Sequence, residues 1–191
     1  MLKGWLWVST FTGIAVITVV ALPLAALAVW VLAATRAPTS PSPWRTSLAD
    51  VGIVYGTVPW VWMTMLPGSG AGEVPGRMSL VPLRDLLALL DDGATFQIVG
   101  NLLVFAALGF FAPLRFAALA SVPRILALAA ACSVLVETAQ YVLRLDRVSS
   151  VDDVLLNAAG AGLAALASRR WWRATATASS DRPRSAAVPG R

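Results

Sequence analysis

Histidine is absent from this sequence, and cysteine occurs once, as Cys132. Without histidine the chain lacks the commonest metal ligand and the usual proton shuttle near neutral pH. We therefore expect no metal and no cofactor, and a nucleophile activated by histidine is excluded. Because a disulfide needs two cysteines, an intramolecular disulfide is excluded as well.

Charged residues are scarce too: they make up 13% of the 191 residues, whereas 58% are hydrophobic. A soluble domain typically carries about 25% charged residues. The apolar residues fall in long blocks separated by short stretches that hold most of the charges, which is typical of a polytopic membrane protein. The net charge of +5 lies largely in the arginine-rich C-terminus, where topology and anionic lipid account for it. We therefore expect the lipid bilayer as a partner and no nucleic acid.

The apolar blocks predict an all-α fold, a polytopic membrane helical bundle of about five transmembrane helices. They cover residues 5–34, 48–66, 96–114, 122–143 and 151–172. The second block is the weakest candidate of the five and is interrupted by Pro59. In the long connection before the third block, the apolar stretch Leu86–Leu90 lies between charges and predicts a short interfacial helix.

We divide the chain into three parts. Residues 1–47 form an N-terminal extra transmembrane helix with a Pro/Ser-rich linker, residues 48–173 form the membrane domain, and residues 174–191 form a disordered basic tail. The first apolar block is too long for a signal-peptide core, so we expect it to be retained. With five spans and the basic tail in the cytoplasm, the positive-inside rule places the N-terminus outside.

Polar residues at membrane depth are concentrated in the fourth and fifth blocks. Glu137, Gln140 and Arg144 share one face of the fourth helix, and Asp153 and Asn157 share one face of the fifth. Because a short loop joins these helices, they are antiparallel, and their polar residues lie at the same membrane face. Two more residues are expected there: Arg147 in the loop and Asn101 near the start of the third helix.

A carboxylate at this depth is costly unless it is paired, protonated or in a wet cavity, so the cluster predicts a functional site. The alternative is that these polar groups are hydrogen-bonding glue between helices. Ser149 or Ser150 is expected to cap the fifth helix. The dipole of the fifth helix favours carboxylates at its start, which explains the presence of Asp152 and Asp153 there. Small residues predict close helix packing; they are Gly100, Gly109, Ala158, Ala159, Gly160, Ala161 and Gly162.

The order of these residues resembles the VanZ-like family of bacterial membrane proteins. The matching elements are Glu137-Thr-Ala-Gln140, Arg147 followed by Asp152-Asp153, Asn157-Ala-Ala-Gly160, and the Asn101–Phe105–Gly109 series. An earlier element, Ser79-Leu-Val-Pro82-Leu83, departs from the family pattern, with Ser79 in place of Asn and Leu83 in place of Phe. Further departures are Ala107 in place of Pro and Ser150 in place of Asp.

The resemblance implies a multi-pass protein of the bacterial plasma membrane and cell envelope, in a family linked to teicoplanin resistance. One hypothesis is a site at the outer leaflet that binds or acts on a lipid-linked cell-wall precursor or a lipid headgroup. In it Glu137 and Asp153 are the catalytic candidates, with Glu137 as general base or charge partner. One of the arginines is expected to hold an anion such as phosphate. The residues predicted to bind substrate are Asn101, Gln140, Arg144, Arg147 and Asn157.

The second hypothesis is a non-enzymatic membrane protein in which the same residues hold helices together or bind a partner. A small transporter is less attractive, because the five spans show no internal repeat. The sequence leaves open whether a reaction is catalysed and what the oligomeric state is.

Overall fold

The computed structural model describes residues 10–180, with side chains described up to residue 173. Helices dominate this part of the chain, and two three-residue strands complete it. The elements are α1 (Phe11–Arg36), α2 (Pro43–Thr64), β1 (Arg77–Ser79), α3 (Arg84–Asp91), α4 (Thr95–Val104), α5 (Ala106–Arg115), a 3-10 turn (Ala117–Leu119), α6 (Val122–Val142), β2 (Val148–Ser150) and α7 (Val151–Ser180).

Four helical stretches in the described residues are long and apolar enough to cross a membrane. They are Phe11–Arg36, Thr95–Arg115, Val122–Val142 and Val151–Arg173. Helix α2 has a comparable length of 22 residues but is less apolar, since it contains Arg45 and Asp50. The predicted all-α membrane bundle is confirmed, and about five spans is close to what the structure shows.

The third predicted span consists of two helices rather than one. Helices α4 and α5 meet at Phe105, whose backbone (φ −113°, ψ 14°) departs from helical geometry. The sequence contains no proline or glycine at this point, so it gave no sign of the break. The prediction that Leu86–Leu90 forms a short helix is confirmed by α3.

The first and last described helices can be compared with the predicted boundaries. The described part of the first helix begins at Phe11, and the residues before Thr10 lie outside the description. Helix α7 continues to Ser180, past residue 174, where the sequence predicts the start of a disordered tail. The rest of that tail, residues 181–191, lies outside the described residues.

Helix α7 is the central helix of the bundle and packs against α4, α5 and α6. Helix α2 packs on α5, and α1 lies on the outer side of α2. The core is made of small and aliphatic residues with one aromatic ring; it comprises Val104, Phe105, Ala112, Ile125, Ala129, Ala161 and Ala165. Small residues bring the backbones close, which is the usual basis of helix packing in membranes.

Two glycines set the distance between α7 and the helices of the third span. A Cβ at Gly109 would overlap the backbone of Ala161, and a Cβ at Gly160 would overlap the backbone of Leu102. The predicted close packing at these glycines is confirmed. At Gly100 the prediction is wrong, because a Cβ there would meet no described atom within 4 Å.

The two strands pair in parallel, with Met78 opposite Ser149. They join the long connection after α2 to the loop between α6 and α7. Both segments lie at the end of the bundle where α2 and α6 finish and α4 and α7 begin. We call this the polar end and the opposite end of the bundle the basic end.

Candidate functional site

Ser150 is where several contacts of the polar end meet. Its hydroxyl accepts a hydrogen bond from the Asp152 N–H (3.2 Å) and donates one to Asp85 Oδ2 (2.5 Å). The first contact caps α7, so the prediction that Ser149 or Ser150 caps this helix is confirmed for Ser150. The second contact links the start of α7 to α3. The hydroxyls of Ser150 and Ser79 hold the pKa of the Asp85 carboxyl below its usual range, because they stabilise its charged form.

Asp152 is buried and caps a helix other than its own. Its Oδ1 accepts the N–H of Leu83 (2.6 Å), and its Oδ2 accepts the N–H groups of Asp85 (2.9 Å) and Leu86 (3.0 Å). These donors lie at the start of α3, where backbone N–H groups have no partner within the helix. Sequence reasoning assigned Asp152 to the dipole of α7 and missed this role. No local signal shows it, because the donors lie more than 60 residues earlier in the chain.

Glu137 lies near the end of α6, next to the β2 strand. Its Oε2 accepts the Ser150 N–H at 3.1 Å, and its main-chain carbonyl accepts the Ser149 hydroxyl at 2.9 Å. The side chain is half-buried. Glu137 takes part in none of the salt bridges seen in the described residues.

Asp153 faces Asn101 and lies within electrostatic range of Glu137. The Asn101 Nδ2 donates a hydrogen bond to Asp153 Oδ1. Asp153 lies within range of the charge of Glu137 across α6 and α7, and also of the charges of Asp85, Asp152 and Arg147. The structure therefore brings the two predicted catalytic carboxylates together, with Asn101 beside them.

Three of the other predicted site residues bind protein groups. Gln140 Nε2 donates to the Thr64 carbonyl at 2.8 Å, and Arg147 Nε and Nη2 donate to the Leu66 carbonyl at 3.3 Å. The first contact ties the end of α2 to α6, and the second ties the segment just after α2 to the loop after α6. One helical turn deeper than Asp153, the buried Asn157 Nδ2 donates to Ser133 Oγ at 2.8 Å, while its Oδ1 has no partner within the described residues.

Arg144 is exposed, at the start of the loop after α6. Its backbone has a positive φ of 49°, and its carbonyl accepts the Gly72 N–H at 2.9 Å. The backbone of Arg144 thus helps to join the two loops, while its side chain lies at the surface of the polar end.

Hydrogen-bond acceptors dominate the chemistry of the polar end. The carboxylates of Glu137, Asp153, Asp85 and Asp152 lie close together, and Asp152 is fully engaged by α3. Within residues 10–173, no group of three or more acidic or thiol side chains has the geometry to hold a metal ion. The arrangement is suited to binding hydrogen-bond donors and to accepting a proton.

The two ends of the bundle differ in charge. Eight carboxylates and four arginines belong to the polar end; they are Glu73, Asp85, Asp91, Asp92, Glu137, Asp146, Asp152, Asp153, Arg77, Arg84, Arg144 and Arg147. At the basic end the described residues include seven arginines and one carboxylate; they are Arg36, Arg45, Arg115, Arg124, Arg169, Arg170, Arg173 and Asp50.

Long apolar helices and an acidic cluster at one end together define a multi-pass membrane protein. The VanZ/LLP1 family profile matches residues 53–172. The chain belongs to this family, as the resemblance predicts. The match begins within α2 and ends within α7, so α1 precedes the matched region. Comparisons with curated proteins and with solved structures gave no match.

Proposed function

We propose that this VanZ/LLP1 protein lies in the bacterial plasma membrane and binds the headgroup of a lipid or lipid-linked cell-wall precursor at its polar end. The observation that carries the proposal is the neighbouring pair Glu137 and Asp153. Neither carboxylate has a salt bridge in the described residues. A carboxylate at membrane depth is unfavourable in free energy unless it is paired, and here two lie next to each other. A ligand that donates hydrogen bonds or carries an ammonium group offsets that cost.

The hydrogen bonds available to the pair favour the same kind of ligand. Ser150 and Asn101 supply donors to the two carboxylates, but a carboxylate offers about four acceptor positions. The remaining positions suit the hydroxyl or amino groups of a headgroup or sugar. Glu137 is then the group placed to take a proton from a bound hydroxyl, and Asp153, held by Asn101, orients it.

Arg144 and Arg147 have different roles in this proposal. Arg144 is exposed at the polar end, so we assign it the contact with an anionic part of the ligand, such as phosphate. Arg147 donates to the Leu66 carbonyl, which makes it a positioning residue for the loop. The outward orientation of the polar end follows from the arginine-rich opposite end, which the positive-inside rule places in the cytoplasm.

A second candidate function, non-enzymatic structural support or partner binding, has its own supporting observation. Gln140, Arg147 and Asn157 all bind groups on neighbouring segments, as interhelical glue does. For these three residues we favour the structural role. Glu137 and Asp153 differ because neither carboxylate makes a salt bridge within the described residues.

The test compares Glu137→Gln and Asp153→Asn with matched controls at exposed carboxylates of the same end. Glu73→Gln and Asp92→Asn make the same chemical changes away from the pair. Each variant is expressed in a bacterial host, and membrane yield, monodispersity in detergent and teicoplanin tolerance are measured. We expect normal yield for all four variants and loss of tolerance for the first two alone.

Two results would contradict the proposal. Loss of folded protein in both Glu137→Gln and Asp153→Asn would identify the pair as structural. Full tolerance in well-folded variants of the pair would show that the carboxylates do not contribute to this phenotype.

A further inference from the structure

Three exposed leucines form a strip along one side of α3. Leu83, Leu87 and Leu90 are spaced by four and then three residues, so they share one helix face. Each is more than half exposed, at 53%, 60% and 59%. Leu86 and Leu89, on the neighbouring side of the helix, are half-buried. A contiguous exposed apolar patch is typical of an interaction surface. We call these three residues the leucine strip.

The side of α3 across from the leucine strip is polar. With about 100° of rotation per residue, Asp85 and Asp92 lie opposite the three leucines. Asp85 accepts the Ser150 hydroxyl at 2.5 Å, and Asp152 accepts the N–H groups of Asp85 and Leu86. These contacts fix the rotation of α3 about its axis, so the leucine strip is held facing away from Ser150 and Asp152.

Helix α4 has the same two-sided character. Phe96, Val99 and Leu103 are spaced by three and four residues on one face of α4, and Phe96 is 83% exposed. On the other side of the helix, Asn101 binds Asp153. The exposed face belongs to Thr95–Arg115, a stretch that is long and apolar enough to cross a membrane. Lipid therefore contacts this face of α4.

The leucine strip continues this lipid-facing surface. Helices α3 and α4 pack against each other and are joined by three residues. Since each binds the acidic cluster through its polar side, the exposed faces of both helices point away from that cluster. The connection before α3 adds to the surface, because Met78, Leu80 and Val81 are all more than half exposed. This continuity identifies the hydrocarbon of the bilayer as the partner of the leucine strip.

We propose that the leucine strip docks in the hydrocarbon region of the leaflet at the polar end, so that α3 lies along the membrane interface. An amphipathic interfacial helix buries its apolar face about 5–10 Å into the boundary between headgroups and acyl chains. Its polar side, with Asp85 and Asp92, then lies at headgroup level. The Glu137–Asp153 pair is enclosed behind α3 at that depth rather than in open water. This placement is independent of the ligand that the pair binds.

The accessibility of nitroxide labels in vesicles tests the placement of α3. In a Cys132→Ala background, a label is attached at Leu87→Cys in the leucine strip, at Asp92→Cys across the helix, or at Val99→Cys on the lipid-facing side of α4. The full-length protein is reconstituted in vesicles of phosphatidylethanolamine and phosphatidylglycerol. Electron paramagnetic resonance measures how often each label collides with oxygen, which concentrates in hydrocarbon, and with a nickel chelate, which stays in water.

The expected result is a high ratio of oxygen to nickel collisions at Leu87→Cys. Because an apolar face at this depth is shielded from water, the ratio should be at least about tenfold higher than at Asp92→Cys and close to that at Val99→Cys. Asp92→Cys is the matched control, since its label is on the same helix and differs only in the side that it occupies. Elution of each labelled protein as the same single species as the wild type confirms that it is folded.

Two results would overturn the proposal. Equal ratios at Leu87→Cys and Asp92→Cys would place the leucine strip in water. Few collisions with either reagent at Leu87→Cys, together with frequent oxygen collisions at Val99→Cys, would show that a second copy of the chain covers the leucine strip instead of lipid. Neither measurement depends on the variants of Glu137 and Asp153, so failure here is distinguishable from failure of the headgroup site.

Discussion

Asp152 shows how one carboxylate organises the polar end of the molecule. It accepts three N–H groups from the start of α3, and its neighbour Ser150 binds Asp85 on the same helix. Hydrogen bonds from backbone N–H groups to a carboxylate are shorter and stronger than those between neutral groups. Asp152 therefore positions α3 next to the Glu137–Asp153 pair without belonging to that pair.

At the residue scale, we predict that Asp152→Asn loosens α3 from the bundle. The amide keeps one acceptor oxygen but turns an NH₂ group toward backbone donors, which costs about 2 kcal/mol. Backbone N–H groups at the start of α3 should then exchange with solvent roughly 30-fold faster. Hydrogen–deuterium exchange of the peptide covering residues 80–92, in detergent, measures this change.

Asp92→Asn is the control for this prediction, since Asp92 is exposed at the end of α3. It should leave exchange at the start of α3 unchanged. Equal exchange rates in the wild type and Asp152→Asn would show that the three hydrogen bonds do not hold α3 in place.

Two glycines allow α7 and the third span to approach each other closely. Gly109 and Gly160 contact the main chain of the neighbouring span, where a Cβ would overlap backbone atoms. Backbone atoms cannot move aside as a flexible side chain can. The two glycines therefore fix the distance between α7 and the third span, and with it the approach of Asp153 to Asn101.

At the scale of the elements, we predict that Gly160→Ala and Gly109→Ala each destabilise the protein by about 3 kcal/mol, the upper range for added volume in a packed core. Gly100→Ala is the matched control, because the space beside it is open. It should be neutral or stabilising by up to about 1 kcal/mol, since alanine favours the helix. Thermal unfolding in detergent measures all three, and equal midpoints for Gly160→Ala and Gly100→Ala would refute the packing argument.

The whole molecule is polarised between an acidic and an arginine-rich end. Arginines in short loops are retained on the cytoplasmic side of bacterial membranes. At the basic end, Arg36 and Arg115 share Asp50, which joins α1, outside the matched family region, to α2 and α5. Net positive charge remains at that end, so we expect it to face the cytoplasm.

At the scale of the whole molecule, we predict the orientation from this charge difference. In a Cys132→Ala background, Asp92→Cys at the polar end should react with a membrane-impermeant maleimide in intact cells. Arg124→Cys at the basic end should react only after the cells are lysed. The reverse pattern would show that the polar end faces the cytoplasm, and the outward-facing headgroup site would then be wrong.

The sequence by itself determined the membrane character, the helical fold and the family. Long apolar blocks predict membrane-spanning helices. Lipid offers no hydrogen-bond partners, so the backbone N–H and C=O groups must form their hydrogen bonds within the segment. The spacing of Glu137, Gln140, Asp153 and Asn157 also placed these residues on facing sides of antiparallel helices, since helical periodicity is a local property. The prediction that Asn101 joins them followed from the direction of the third helix.

Only the tertiary structure decided which of these polar groups are engaged by other parts of the protein. Gln140 and Arg147 bind carbonyls at the end of α2, about 80 residues earlier, and Asp152 holds α3 across a similar separation. Such contacts depend on how loops fold back over the bundle, which no local pattern encodes. The sequence therefore predicts the acidic cluster, whereas the contacts that its members make with distant segments are set by the fold.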